Sequence, residues 1–154
     1  MSKLQLRIFT SDSVKFDQPV DMVIMRCVLE DLGKRSAVGD VGILPGHMPL
    51  SAVLGISPLR ILDESYERGQ RIMAVYGGVV EVRDDVVTIM TETALWPDEI
   101  DKARAEAEHK RAVRRLAAAD DDLSIRKNQI MLRRALVQIE VSSETLLGRH
   151  SIVN

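Results

Sequence analysis

Apolar and polar positions follow two different periods along this chain. Leu4–Thr10 alternates, with Leu4, Leu6 and Ile8 on one face and Gln5, Arg7 and Phe9 on the other. Period two predicts a half-buried strand. Ser11-Asp12-Ser13 reads as a turn, and Val14–Phe16 as a short strand whose end Pro19 marks. Val20–Leu29 is β-branched and Met-rich, which predicts a strand with both faces partly covered. Glu30–Ser36 (E-D-L-G-K-R-S) is polar and broken by glycine, so it reads as a solvated loop. Gly42-Ile43-Leu44 reads as a short buried strand, and Ser51–Leu54 and Leu59–Leu62 as two more, punctuated by Gly55 and Pro58. Asp63–Gly69 is a polar loop. Arg71–Val75 then leads into Gly77-Gly78, a glycine pair that indicates a bulge or a close backbone approach. Val79–Val82 and Val86–Met90 form a hairpin around Arg83-Asp84-Asp85. Short strands separated by turns at regular spacing predict an antiparallel sandwich or barrel of about ten strands.

The period changes after Trp96-Pro97. From Asp98 onward there is no proline, and the only glycine is Gly148. Asp98 is a candidate helix cap, with Glu99 and Asp101 in a first turn where the macrodipole favours acids. Ala105, Ala112, Leu116 and Ala119 fall on one helical stripe. Asp120-Asp121-Asp122 interrupts that pattern and serves as the cap of a second helix starting near Leu123, with Ile125, Leu132, Leu136 and Ile139 on its stripe. The expected fold class is therefore α+β. A β-sandwich over residues 1–95 precedes an antiparallel two-helix hairpin over 98–141, and a flexible tail follows at 142–154. Burying alanine removes little apolar surface, about 0.8 kcal/mol per CH₂. The hairpin is thus expected to be weakly held and able to open.

Composition narrows the function. Hydrophobic residues make up 45% of the 154, but aromatics only 3%, so the core must rest on aliphatic side chains. A formal net charge of −2 argues against a nucleic-acid binder. The single cysteine, Cys27, lies in an apolar run, which fits a small buried residue in a reducing compartment. No apolar run is long enough to span a bilayer and the N-terminal residues carry no signal-peptide core, so a soluble chain is expected. No Ser–His–Asp spacing, G-x-S-x-G, C-x-x-C or Walker A loop is present, and His47 has no Cys/His cluster around it. Neither catalysis nor a metal is expected.

Three motifs remain. Gly39–Leu50 reads G-D-V-G-I-L-P-G-H-M-P-L, and its Pro45-Gly46 pair predicts a rigid turn presenting His47. Gly77–Val82 reads G-G-V-V-E-V, and Ile100–Ala105 matches I-D-x-x-R-A. In this order and at these separations they resemble the epsilon subunit of F-type ATP synthase, over the chain from near its N-terminus to about Val141.

That resemblance implies a non-catalytic subunit of the rotating central stalk. It implies a sandwich bound to the gamma subunit and resting on the ring of c subunits, with Asp40 and His47 in the ring-contact region. It also implies a helical brake on ATP hydrolysis, for which Arg114, Arg115, Arg126 and Arg133 are candidate contacts with the α and β subunits. No cofactor is required. Regulatory ATP is the ligand implied for the folded hairpin, through Ile100, Asp101, Arg104, Ala105, Arg111 and Arg134. Gln138 stands where some ATP-binding members carry another arginine. The residues by themselves also fit a plainer reading, in which Asp101 caps a helix and the arginines form a solvated face. The implied location is the cytoplasmic face of a bacterial inner membrane, held there through the complex and without direct insertion. The competing reading is a stand-alone sandwich-and-hairpin adaptor. The coupling ion is chosen on another chain.

Overall fold

The computed structural model describes the backbone of residues 2–31 and 34–150, and their side chains except those of 29–38 and 145–150. The chain divides into two compact units, Met1–Ala94 and Leu95–Asn154. The first is a β-sandwich of eight strands: β1 (Leu4–Phe9), β2 (Val14–Val20), β3 (Met22–Asp31), β4 (Lys34–Ile43), β5 (Leu50–Leu62), β6 (Gln70–Arg83), β7 (Val86–Met90) and the short β8 (Ala94–Leu95). The strands follow the order β2-β1-β7-β6-β5-β3-β4, with β8 on β6. Pairing along that path is antiparallel except for β1 against β7, which is parallel.

Alternation fixes which face is buried. Leu4, Leu6 and Ile8 of β1 are sealed, as are Val87 and Ile89 of β7 and Val80 and Val82 of β6. Val20, Val23, Met25, Ile43, Leu59, Ile61, Met73 and Val75 complete an aliphatic core, to which Phe16 adds an aromatic. Cys27 is buried among them, and burial pushes its thiol pKa up.

The eight strands roughly match the expected number of about ten; Ser51–Leu54 and Leu59–Leu62 run on as one strand, β5, and Arg71–Val75 and Val79–Val82 as another, β6. Pro58 lies inside β5, where pairing with β3 lapses between Ile24↔Arg60 and Cys27↔Leu54. Its missing N–H therefore falls in a gap of the ladder. Pro19 likewise sits within β2, which is an edge strand. Val20 belongs to β2, so β3 begins at Met22. The expected Glu30–Ser36 loop is instead mostly strand. The β3–β4 register sets Glu30 opposite Arg35 and Asp31 opposite Lys34, while Leu32 and Gly33 lie outside the described residues. The Gly77-Gly78 pair is a close approach rather than a bulge. A Cβ on Gly78, at φ +119°, would lie 2.1 Å from the Met90 carbonyl oxygen.

A cluster of ion pairs closes one end of the sandwich. Asp63, only 3% exposed, accepts from Lys3 Nζ at 2.7 Å, from the Ser65 N–H at 2.9 Å and from the Ser65 hydroxyl. Lys3 also pairs with Asp21 at 3.2 Å, and Asp21 accepts the Glu64 N–H at 2.8 Å. The bond from Lys3, helped by Ser65, lowers the Asp63 pKa from 3.8 to about 2.

The second unit opens with a 3-10 turn, Pro97–Glu99, followed by α1 (Lys102–Ala118) and α2 (Asp122–His150). Asp98 is not the cap of α1. Asp101 is, through the Arg104 N–H at 3.1 Å. Asp121 caps the second helix, accepting the Ser124 N–H and hydroxyl, both at 2.8 Å. Those bonds lower its pKa. A three-residue connection folds α2 back along α1. The seam of α1 is the expected one: Ala105 and Ala112 are buried, and Leu116 and Ala119 are partly so. Among the described side chains of α2 the buried ones are Ala135, Val137, Val141 and Ser142, while Leu136 is exposed. Helix α2 also runs on to His150, beyond residue 141 where the sequence pattern stops it. Residues 151–154 of the expected tail lie outside the described residues.

Candidate functional site

The Gly39–Leu50 motif ends β4 and turns into β5. His47 N–H donates to the Leu44 carbonyl at 3.1 Å, and Gly46 at φ +83° takes the second corner, as the Pro45-Gly46 pair predicts. The turn rests on a neighbour that is distant in sequence: the Gly46 N–H donates to Asp85 Oδ1 at 2.7 Å. Asp84 and Asp85, at φ +50° and +60°, form the two-residue β6–β7 hairpin turn. His47 is half-buried and its Nδ1 donates to the Met48 carbonyl at 2.7 Å. Leu44 and Met48 remain 53% and 73% exposed. Asp40 lies back in β4, directly across from Arg26, whose Nε is 3.2 Å away. The two expected ring-contact residues thus occupy the strand and the turn of one element, and Asp40 is already paired.

A second feature lies on the outer face of the sheet. In-register partners run Val28 (β3), Val53 (β5), Val79 (β6), Met90 (β7) and Phe9 (β1), with Val14 of β2 opposite Phe9. Directly opposed residues share a face, so these side chains form one apolar band across six strands. Val53, Val79 and Met90 are 42% to 55% exposed. The adjoining row, Ser51, Glu81, Thr88, Arg7 and Asp17, is polar. The sequence carried a signal for the band in consecutive apolar positions: Ile8-Phe9, Cys27-Val28, Val53-Leu54, Val79-Val80 and Ile89-Met90. At such pairs period two fails, and both faces are apolar.

The candidate nucleotide residues lie on the helical unit. Asp101 spends its carboxylate on the α1 cap. Arg104 Nε is 3.2 Å from Glu108, and Ala105 is buried in the seam. The Ile100 N–H donates to Pro97 O at 3.2 Å. Arg104, Arg111 and Arg134 each directly precede a buried alanine, Ala105, Ala112 and Ala135. In an antiparallel pair the residue before each seam position faces the same side. One side of the hairpin therefore collects Arg104, Arg111 and the half-buried Arg134, with Gln138 one turn further on. Arg114, Arg115, Arg126 and Arg133 are exposed. Among the described residues no group of three His, Cys, Asp or Glu side chains gathers as a metal site, and no helix is long and apolar enough to cross a membrane.

An aliphatic sandwich with a small-residue helical hairpin is a defined architecture. The model for the ATP synthase Delta/Epsilon chain β-sandwich domain matches residues 3–97, and that for the long α-helix domain matches residues 98–143. The chain belongs to the ATP synthase delta/epsilon family. Its relatives include the ATP synthase epsilon chains of Bacillus licheniformis, 36% identical over 92% of this chain and 99% of that one, and of Bacillus subtilis, 38% identical over 94% and 100%. In three dimensions it resembles a chain of the Euglena gracilis mitochondrial ATP synthase, with a TM-score of 0.73, 23% identity, and coverage of 95% of this chain and 82% of that one. A Tetrahymena thermophila central-stalk chain scores 0.62 at 16% identity, covering 92% and 97%. The function expected from the sequence, that of a non-catalytic subunit of ATP synthase, follows from the family.

Proposed function

We propose that this chain is a rotor subunit whose sandwich binds gamma through the Val28–Phe9 band and meets the c-ring through the Leu44–Pro49 turn. The observation that carries the reading is the band. An apolar strip bordered by a polar row has the centre-and-rim make-up of a protein interface. Five of its members are consecutive in register, so a flat partner surface can cover them together. The turn adds a second exposed apolar point at the end of the β4–β5 and β6–β7 connections. With these two contacts the subunit links ring rotation to the hexamer that makes ATP. It sits at the cytoplasmic face of a bacterial inner membrane by way of the complex.

The helical unit is the brake. Folded, it permits rotation in both directions; extended along gamma, it blocks hydrolysis, with Arg114, Arg115, Arg126 and Arg133 meeting acidic surfaces of the α and β subunits. The alanine seam suits this role because little apolar area is lost on opening. ATP is the regulatory ligand of the folded form, held on the Arg104–Arg111–Arg134 side by bidentate guanidinium contacts. Asp101 contributes there as the helix cap rather than as a free acceptor. At ten times its dissociation constant such a ligand shifts the equilibrium by about 1.4 kcal/mol.

The test is recovery of the full-length tagged chain from native membranes, as wild type and as Val79→Asp. Gamma, the hexamer and the ring should come down with the wild type and be lost with the variant while the sandwich stays folded. Recovery of unrelated soluble partners would replace the rotor reading with the adaptor.

A further inference from the structure

The Leu44–His47 turn is not held by its own strands alone. The 2.7 Å bond from Gly46 N–H to Asp85 Oδ1 joins positions 39 residues apart, and an amide bonded to a carboxylate is stronger than a neutral pair. Asp85 is itself fixed by the sandwich. Its carbonyl accepts the Gln5 N–H at 2.8 Å, and its φ of +60° is set by the tight turn between β6 and β7. Its neighbours in those strands, Val82 and Val87, are sealed in the core, as are Leu4 and Leu6 beside Gln5. The anchor is therefore rigid, and what it anchors is an exposed apolar tip. Pro45 and Pro49 stiffen that tip from within, but only Asp85 ties its second corner to the body of the sheet among the bonds described.

The geometry points to Asp85 as a positioning residue: its carboxylate docks the Leu44–Pro49 turn onto the β6–β7 hairpin, so that Leu44, Met48 and the hairpin tip at Asp84 are presented as one surface. The inference rests on the reading of this turn as the ring contact. Asp85 does not touch the ring in this account. It acts through Gly46, by preventing the turn from pivoting about Ile43 and Leu50. A contact that carries torque depends on such stiffness.

Two substitutions at Asp85 separate the carboxylate from the backbone. Asp85→Gly accepts the positive φ without strain and removes only the acceptor. Asp85→Asn keeps both the acceptor and tolerance of the left-handed conformation. The first readout is amide exchange at Gly46 in the full-length chain. The second is protons pumped per ATP hydrolysed by the complete synthase in sealed vesicles. Asp85→Gly should speed Gly46 exchange at least about tenfold and lower the pumping ratio at least about twofold. Asp85→Asn, which keeps a neutral acceptor, should fall between the wild type and Asp85→Gly in both. Unchanged Gly46 exchange in Asp85→Gly overturns the tie. Fast exchange with unchanged pumping overturns the positioning role. Met48→Asp distinguishes the levels. If it lowers pumping while Asp85→Gly does not, the positioning role fails alone; if it too leaves pumping unchanged, the ring-contact reading fails and the proposal with it.

Discussion

The sandwich and the helical hairpin solve the same problem with different materials. The strands bury Leu, Ile, Val and Met side chains at relative exposures near zero, over a long in-register ladder. Among the described side chains the hairpin buries Ala105, Ala112, Ala135 and Ser142, with Val137 and Val141 as the largest that are sealed. A buried leucine or isoleucine contributes roughly 1.5–3 kcal/mol relative to an exposed one, and an alanine methyl well under half of that. The first unit therefore gains more from burial per sealed residue than the second. Cap placement fits the contrast. Asp101 and Asp121 stabilise each helix locally, which favours helical structure without cementing the pair.

The largest expected effect is in the sandwich. Ile61→Ala should cost about 2–5 kcal/mol in denaturant unfolding of the strand unit. Ala112→Gly, the matching truncation in the hairpin seam, should cost only about 1 kcal/mol, read from the helical signal at 222 nm. Comparable losses at the two sites would break the comparison. Gly78→Ala is expected to be as damaging as the core truncation, because its backbone and the Met90 carbonyl both refuse a Cβ.

Acid sharpens the contrast next. The Asp63 pKa is lower folded than unfolded, so its contribution is complete above about pH 4. It is lost as pH falls through the native value near 2. Sandwich stability should decline across that window. Lys3→Met, which removes the first cause of the shift, should shrink the decline, because the folded and unfolded values then lie closer together. A pH titration of the unfolding midpoint reads both. Asp121 also has its pKa lowered, by the bonds from Ser124, so the start of α2 should fray once acid protonates that carboxylate.

The smallest effect is Asp101→Ala, expected to cost about 1 kcal/mol of α1 stability. The loss should appear as faster amide exchange confined to the first turn of that helix. Exchange spreading along the whole of α1 would show that the cap also holds the pair together.

These contrasts were partly readable in the sequence. Local patterns identified β1, β7, the Arg83-Asp84-Asp85 turn, the Pro45-Gly46 corner, the α1 seam and the Asp120-Asp121-Asp122 run as a cap, within which the structure selects Asp121. Each depends on residues within a few positions of one another. The features that escaped depend on pairing. Pro58 stays in β5 because the ladder to β3 lapses beside it, and Pro19 stays in β2 because that strand is at the edge. Glu30–Ser36 reads locally as a loop, and only the β3–β4 pairing makes most of it strand. Leu136 matched the apolar period of α2, yet the seam is centred one residue earlier, on Ala135. The Asp85 tie spans too many residues for any local pattern, and the outer band appears only once six strands are aligned. The three sequence motifs fared differently. The turn motif folds as expected, the glycine pair is a close approach, and the I-D-x-x-R-A stretch is a capped helix start whose arginine is already salt-bridged.

The most direct test of the account is amide exchange followed residue by residue across the full-length chain. Under the proposed brake, amides in α1 and α2 exchange at least about tenfold faster than those of β1, β5, β6 and β7. Helical amides as slow as the strand amides would contradict it, and the hairpin could not then serve as a part that opens.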